Sequence, residues 1–125
     1  MNVDKMLIKS QQTELDAVVM YQKLATRFPQ EGDKFKSLAA DEGRHAAVLA
    51  KLTGKTLRPR KGLANGVNVL VSLLGKKFML GKIAAFEYKA YDTYEPLAEQ
   101  FAEMQSVRGD ERRHGDIVTS IRNGL

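Results

Sequence analysis

Asp41-Glu42-Gly43-Arg44-His45 is echoed near the C-terminus by Asp110-Glu111-Arg112-Arg113-His114, and the two stretches hold both histidines of the chain. In each, the histidine stands three residues after a glutamate, one after an arginine and four after an aspartate. On a helix, positions three apart share a face, so each motif offers a carboxylate and an imidazole side by side. That donor pair suits iron, manganese or zinc. A single Glu-x-x-His arises often by chance. Two matched copies that use every histidine are far more specific.

The match extends upstream. Glu14 precedes Glu42 by 28 residues and Glu87 precedes Glu111 by 24, and each is followed seven residues later by a tyrosine, Tyr21 and Tyr94. The four-residue difference is about one helical turn, which a loop between paired helices absorbs. One glutamate from each of two helices, with a Glu-x-x-His from each of two others, is the ligand set of di-iron and di-manganese bundles. On these residues, which run from 14 to 114, the sequence resembles the ferritin-like di-iron carboxylate superfamily, and its rubrerythrin-like members in particular.

The apolar periodicity predicts an all-α chain. Residues 3–28 read as a helix with Met6, Leu7, Thr13, Leu15, Val18, Val19, Gln22, Leu24 and Ala25 on its apolar stripe and Glu14 on or beside it. Phe28-Pro29 ends it, because proline disfavours helical geometry in the residue before it. Residues 31–53 read as a second helix, with Phe35, Leu38, Ala39, Glu42, His45, Ala46, Leu49 and Leu52 recurring at spacings of three and four, and Gly54 as its stop. The two make an antiparallel hairpin. Residues 55–65 break the pattern, with Pro59, Gly62 and Gly66 marking irregular chain. Residues 77–95 read as a third long helix bearing Phe78, Ile83, Phe86, Glu87, Ala90 and Tyr94, with Pro96 near its end. Residues 99–122 read as a fourth, with Phe101, Met104, Val107, Glu111, His114, Ile117, Val118 and Ile121 facing inward. Gly109 inside that helix costs about 1 kcal/mol relative to alanine, which suggests that the backbone near the histidine needs either close approach or slack.

Residues 67–75 (Val-Asn-Val-Leu-Val-Ser-Leu-Leu-Gly) are the most apolar stretch, too short for a membrane span and followed by Lys76, Lys77 and Lys82. Three readings compete: a short extra helix packed on the bundle, a homodimer interface, or an interfacial membrane anchor with flanking lysines. The segment is also similar to the equivalent part of demethoxyubiquinone hydroxylases, a membrane-associated branch of the same superfamily.

The resemblance implies a ferritin-like four-helix bundle, a single domain over residues 1–125, with a long crossover between the second and third long helices, which run parallel. Eleven extended residues reach up to about 36 Å, enough to span such a bundle. It implies two iron ions, with manganese or zinc also suited to the ligands. Glu14 and His45 would bind one ion, Glu87 and His114 the other, and Glu42 and Glu111 would bridge them. Tyr21 and Tyr94 match the family's tyrosines that hydrogen-bond ligand glutamates. Asp41 and Asp110 would accept the second ring N–H of the histidines, with Arg44 and Arg113 offsetting their charge. Rubrerythrins carry a further glutamate three residues past the third helix's ligand. Here that position is Ala90, which leaves a six-ligand set closer to bacterioferritin-like or hydroxylase centres.

The implied function is a di-iron oxidoreductase reacting with hydrogen peroxide or dioxygen. Hydroxylation of a quinone-like substrate at a membrane and iron binding or storage are the alternatives. Full-length rubrerythrins supply electrons from a four-cysteine rubredoxin domain. This chain of 125 residues has no cysteine, so an external donor is expected and neither a disulfide framework nor a thiolate metal site can form. The net charge is +5. The basic residues are mostly dispersed, which reads as a solvated surface rather than a nucleic-acid face. Scattered charges at Asp4, Lys5 and Lys9 predict no signal peptide and hence a cytoplasmic protein.

Overall fold

A computed structural model describes residues 2–125. It contains six α-helices: α1 (Val3–Arg27), α2 (Gly32–Thr53), α3 (Gly62–Leu74), α4 (Lys76–Thr93), α5 (Glu95–Gln100) and α6 (Met104–Asn123), with no strand among the described residues. One compact unit runs to Asn68, partway along α3, and a second spans Val69–Leu125. Among the described residues, no helix is long and apolar enough to cross a membrane.

In the first unit, α1 opens with Asn2, whose side-chain oxygen accepts from the Lys5 backbone N–H at 2.8 Å. Such a cap is worth about 1 kcal/mol. The helix stops at Phe28, whose φ of −121° and ψ of 76° are non-helical, as the following proline demands. A 3-10 turn, Pro29–Glu31, then reverses the chain into α2. The hairpin is antiparallel. Tyr21, late in α1, stacks on Phe35, early in α2, with centroids 6.3 Å apart, while Thr53 at the end of α2 donates to Gln11 near the start of α1 at 2.6 Å. α2 ends on Gly54 at φ 68°, a left-handed conformation that a glycine adopts without a Cβ penalty.

The buried stripe of α1 is not the one its apolar residues suggest. Leu15, Val18 and Val19 are only half-buried and Gln22 is exposed, whereas Ser10, Gln11, Glu14, Asp16 and Ala17 are buried with Leu7, Met20, Tyr21, Leu24 and Ala25. The reason lies in the chain beyond Gly54, which runs alongside α1 in the same direction. Gln11 donates to the Lys55 carbonyl at 2.9 Å and Gln12 to the Arg58 carbonyl at 2.8 Å. Asp16 accepts from the Arg60 backbone N–H at 2.8 Å and from its guanidinium at 2.8 and 3.1 Å. Farther on, Lys23 donates to the Asn65 side chain at 3.0 Å and Arg27 to the Asn68 carbonyl at 2.6 Å. The polar residues of α1 thus strap down the long connection expected after the second helix. Only residues 54–61 of it are irregular; α3 starts at Gly62, so the expected irregular stretch of 55–65 is shortened and its last four residues are helical.

Burial alone would push the Asp16 carboxyl up. The hydrogen bonds from the Arg60 side chain and backbone and from Gln12 outweigh it, and the net shift is downward. A carboxyl held below its unfolded value of about 3.9 contributes stability that is complete above that pH and is lost as pH falls through the folded value. Asp16→Ala is therefore expected to cost about 1–2 kcal/mol at neutral pH, because it leaves the Arg60 N–H without its acceptor. The wild-type advantage should shrink below about pH 4. Urea unfolding of both chains at pH 7 and pH 3 checks this.

In the second unit, α4 and α6 are also antiparallel. Gly81 faces Arg122, and Arg108 donates to the Tyr91 carbonyl at 2.8 Å with its guanidinium 3.8 Å above the Tyr91 ring. The expected helix over 99–122 is split. Pro96 lies just past the end of α4, as expected, and sits in the first turn of α5, where its missing N–H costs nothing. Phe101 is extended at φ −124°, ψ 114° and half-buried, so it caps α5 instead of joining the inward stripe, and α6 begins at Met104. Met104, Val107, Val118 and Ile121 are buried along α6 as its spacing predicts, with Ile117 at the edge. Phe78 and Phe86 are exposed; Met79, Leu80, Ile83 and Ala84 form the buried face of α4.

Candidate metal centre

α1 and α2 bring Glu14, Glu42 and His45 together in the first unit. His45 Nδ1 lies 3.6 Å from Glu14 Oε2 and 3.4 Å from Glu42 Oε1. In the second unit α4 and α6 do the same for Glu87, Glu111 and His114, with His114 Nδ1 3.6 Å from Glu87 Oε2 and 3.8 Å from Glu111 Oε1. Each triad takes one residue from one helix and a Glu-x-x-His pair from its antiparallel partner. All six side chains belong to residues at most 2% exposed.

Burying a carboxylate costs several kcal/mol without compensation, and a cation held between the two carboxylates of a triad would supply it. The distances to the ring nitrogens exceed an ordinary N–H···O hydrogen bond. Two donors each about 2.1 Å from one ion stand roughly 3.0–3.4 Å apart at octahedral or tetrahedral angles. Within each triad the candidate donor atoms all lie within 4.8 Å of one another. The donor chemistry fits a divalent ion held by carboxylate and imidazole, and the separations of 3.4–3.8 Å lie at or a few tenths of an ångström above the range for two donors on one ion.

The other predicted positions are also placed. Tyr21 and Tyr94 are buried. Asp41 is buried and pairs with Arg44, one turn along α2. Asp110, partly exposed, pairs with Arg113 at 3.2 Å, one turn along α6. Both arginine side chains are mostly exposed, so each pair links a histidine-bearing helix to its solvated side.

Gly109 is exposed, and a Cβ there would meet nothing within 4 Å, so of the two readings of it the close approach falls away. That role falls to Gly115, next to His114. A Cβ on Gly115 would lie 2.6 Å from Tyr88 Cε1, and Tyr88 is itself the neighbour of Glu87. The Tyr88 hydroxyl donates to Asp116 Oδ1 at 2.6 Å, and that carboxylate holds the phenol above its ordinary range. Tyr88, Gly115 and Asp116 thus set how closely α4 and α6 approach beside the second triad. Nothing in the local pattern singles Gly115 out, except that it follows the histidine directly. The strap residues Gln11, Gln12 and Asp16 were likewise missed; their one-face spacing opposite a basic run at Arg58–Arg60 is the signal that could have found them.

Buried glutamate–histidine triads on an all-α framework define a class of helical proteins whose interior donors are suited to metal ions. Within that class, the family model for rubrerythrin matches residues 5–120, and the chain belongs to the rubrerythrin family, with an all-α, ferritin-like helical-bundle fold. No curated protein and no solved structure gave a significant match.

Proposed function

We propose that the two triads converge on one dinuclear centre and that the protein is a di-iron oxidoreductase reducing hydrogen peroxide or dioxygen. The observation that carries this is the pair of matched, fully buried Glu, Glu-x-x-His triads, together with membership of the family. Glu14 and His45 would hold one ion, Glu87 and His114 the other, and Glu42 and Glu111 would be shared between them. Four carboxylates balance the charge of two divalent cations, which makes the pair tolerable where water is excluded. When bound, a ferrous pair supplies two electrons to hydrogen peroxide, whose O–O bond breaks to give two waters with two protons, and an external donor returns the electrons. The helical scaffold fixes the ligand carboxylates before the oxidant arrives. Tyr21, buried on α1 with Glu14, and Tyr94, buried at the cap of α4 beyond Glu87, donate their hydroxyls to ligand carboxylates. Asp41 and Asp110, each held by an arginine, orient the histidines.

Anaerobic loading with Fe(II) followed by stopped-flow mixing tests the reading. Oxidation of the bound iron should be faster with peroxide than with dioxygen, and both should be faster than for iron in buffer. Glu111→Ala should abolish the acceleration. Oxidation no faster than in buffer would overturn the assignment.

A further inference from the structure

Val69, Leu70, Leu73, Leu74 and Phe78 are between 40% and 73% exposed. On α3, positions 69, 70, 73 and 74 share one face, while Ala64, Val67 and Val71 on the other side are buried. This short helix is therefore apolar both inside and out, unlike α1, α2 and α6, whose outer faces are charged. Gly75, at φ 93°, ends it, and α4 starts at once with Lys76 and Lys77. One turn on, the Lys82 ammonium lies 5.4 Å from the centre of the Phe78 ring. The wider charge pattern points the same way. Residues 43–86 carry nine lysines and arginines and not one aspartate or glutamate, more positive charge than the +5 of the whole chain.

We propose that the outward face of α3 and the first turns of α4 dock peripherally on an anionic lipid surface. The leucines and Phe78 enter the boundary between headgroups and acyl chains, as the apolar face of an interfacial helix does. Lys77 and Lys82 sit at the level of the lipid phosphates. A helix of 13 residues is about 20 Å long, which suits lying in the interface and not spanning it. Charge disfavours a second copy as the occupant: an isologous pairing of this face would bring together the Lys77 and Lys82 of both chains, with no carboxylate in residues 43–86 to offset them. The docking face is independent of what the buried triads hold.

Cosedimentation of the full chain with phosphatidylcholine vesicles, with and without phosphatidylglycerol, tests this. Binding is expected only to the anionic vesicles and should be lost in high salt. Leu70→Ser with Leu73→Ser should weaken it at least tenfold per leucine, and Lys77→Glu with Lys82→Glu at least about fivefold per lysine. All four positions are exposed, so circular dichroism and melting temperature should stay at wild-type values. No binding to anionic vesicles, or equal binding by the variants, would overturn the proposal. So would a wild-type dimer in sedimentation velocity that the leucine variant dissociates while vesicles fail to bind, since the face would then belong to a second copy.

Discussion

Two equivalents of Fe(II), added under argon to metal-free protein, are expected to raise the melting temperature by about 15 °C. A ligand present at about a thousand times its dissociation constant stabilises the folded state by about 4 kcal/mol, and a domain of this length gains roughly 3–5 °C per kcal/mol. Without metal, each triad holds two buried carboxylates against one imidazole. That repulsion sets the metal-free chain low and is removed when cations bind. Glu42→Gln should therefore act in opposite directions. It takes away one buried negative charge, so the metal-free variant should melt higher than wild type, yet it should lose most of the iron-induced rise. Differential scanning calorimetry of both chains, with and without iron, checks the pair of effects. A variant that keeps the full rise would show that Glu42 is not a ligand.

Gly115→Ala is expected to destabilise the protein by about 1–3 kcal/mol, the range for overpacking a close contact, and to weaken metal binding in the second triad. The new methyl would fall 2.6–2.8 Å from three carbons of the Tyr88 ring. The ring can swing away only by giving up its 2.6 Å hydrogen bond to Asp116. Otherwise α4 and α6 separate, and the 3.6 Å spacing of His114 and Glu87, one residue from the clash on each helix, widens. Tyr88→Ala should rescue Gly115→Ala, giving a large coupling in a double-mutant cycle. Gly109→Ala, on the same helix with nothing within 4 Å, is the control and should stabilise by about 1 kcal/mol through helix propensity alone. Urea unfolding and a Mn(II) titration of wild type and the four variants separate the stability effect from the effect on the ligands.

These cases also mark what could be read from the chain. The repeated Glu-x-x-His and its upstream glutamates were legible because ligands for one ion must recur at helical spacing, and the structure gathers each half of that pattern into one buried triad. The ends of α1 and α2 were legible because Pro29 and Gly54 act locally. Contacts between distant segments were not. Gln11 and Asp16 look like surface residues until the chain near residues 55–60 lies against them. Phe78 and Phe86 look like core residues because apolarity alone does not say which face of α4 is buried. Gly109 and Gly115 are alike in sequence, and only the position of Tyr88 distinguishes them.

The central claim is that both triads serve a single metal pair. Loading the metal-free chain with Mn(II) and recording its electron paramagnetic resonance tests that most directly. Two ions per chain with the spectrum of an exchange-coupled pair is the predicted result. One ion per chain, or two whose signals are those of isolated Mn(II), would contradict it.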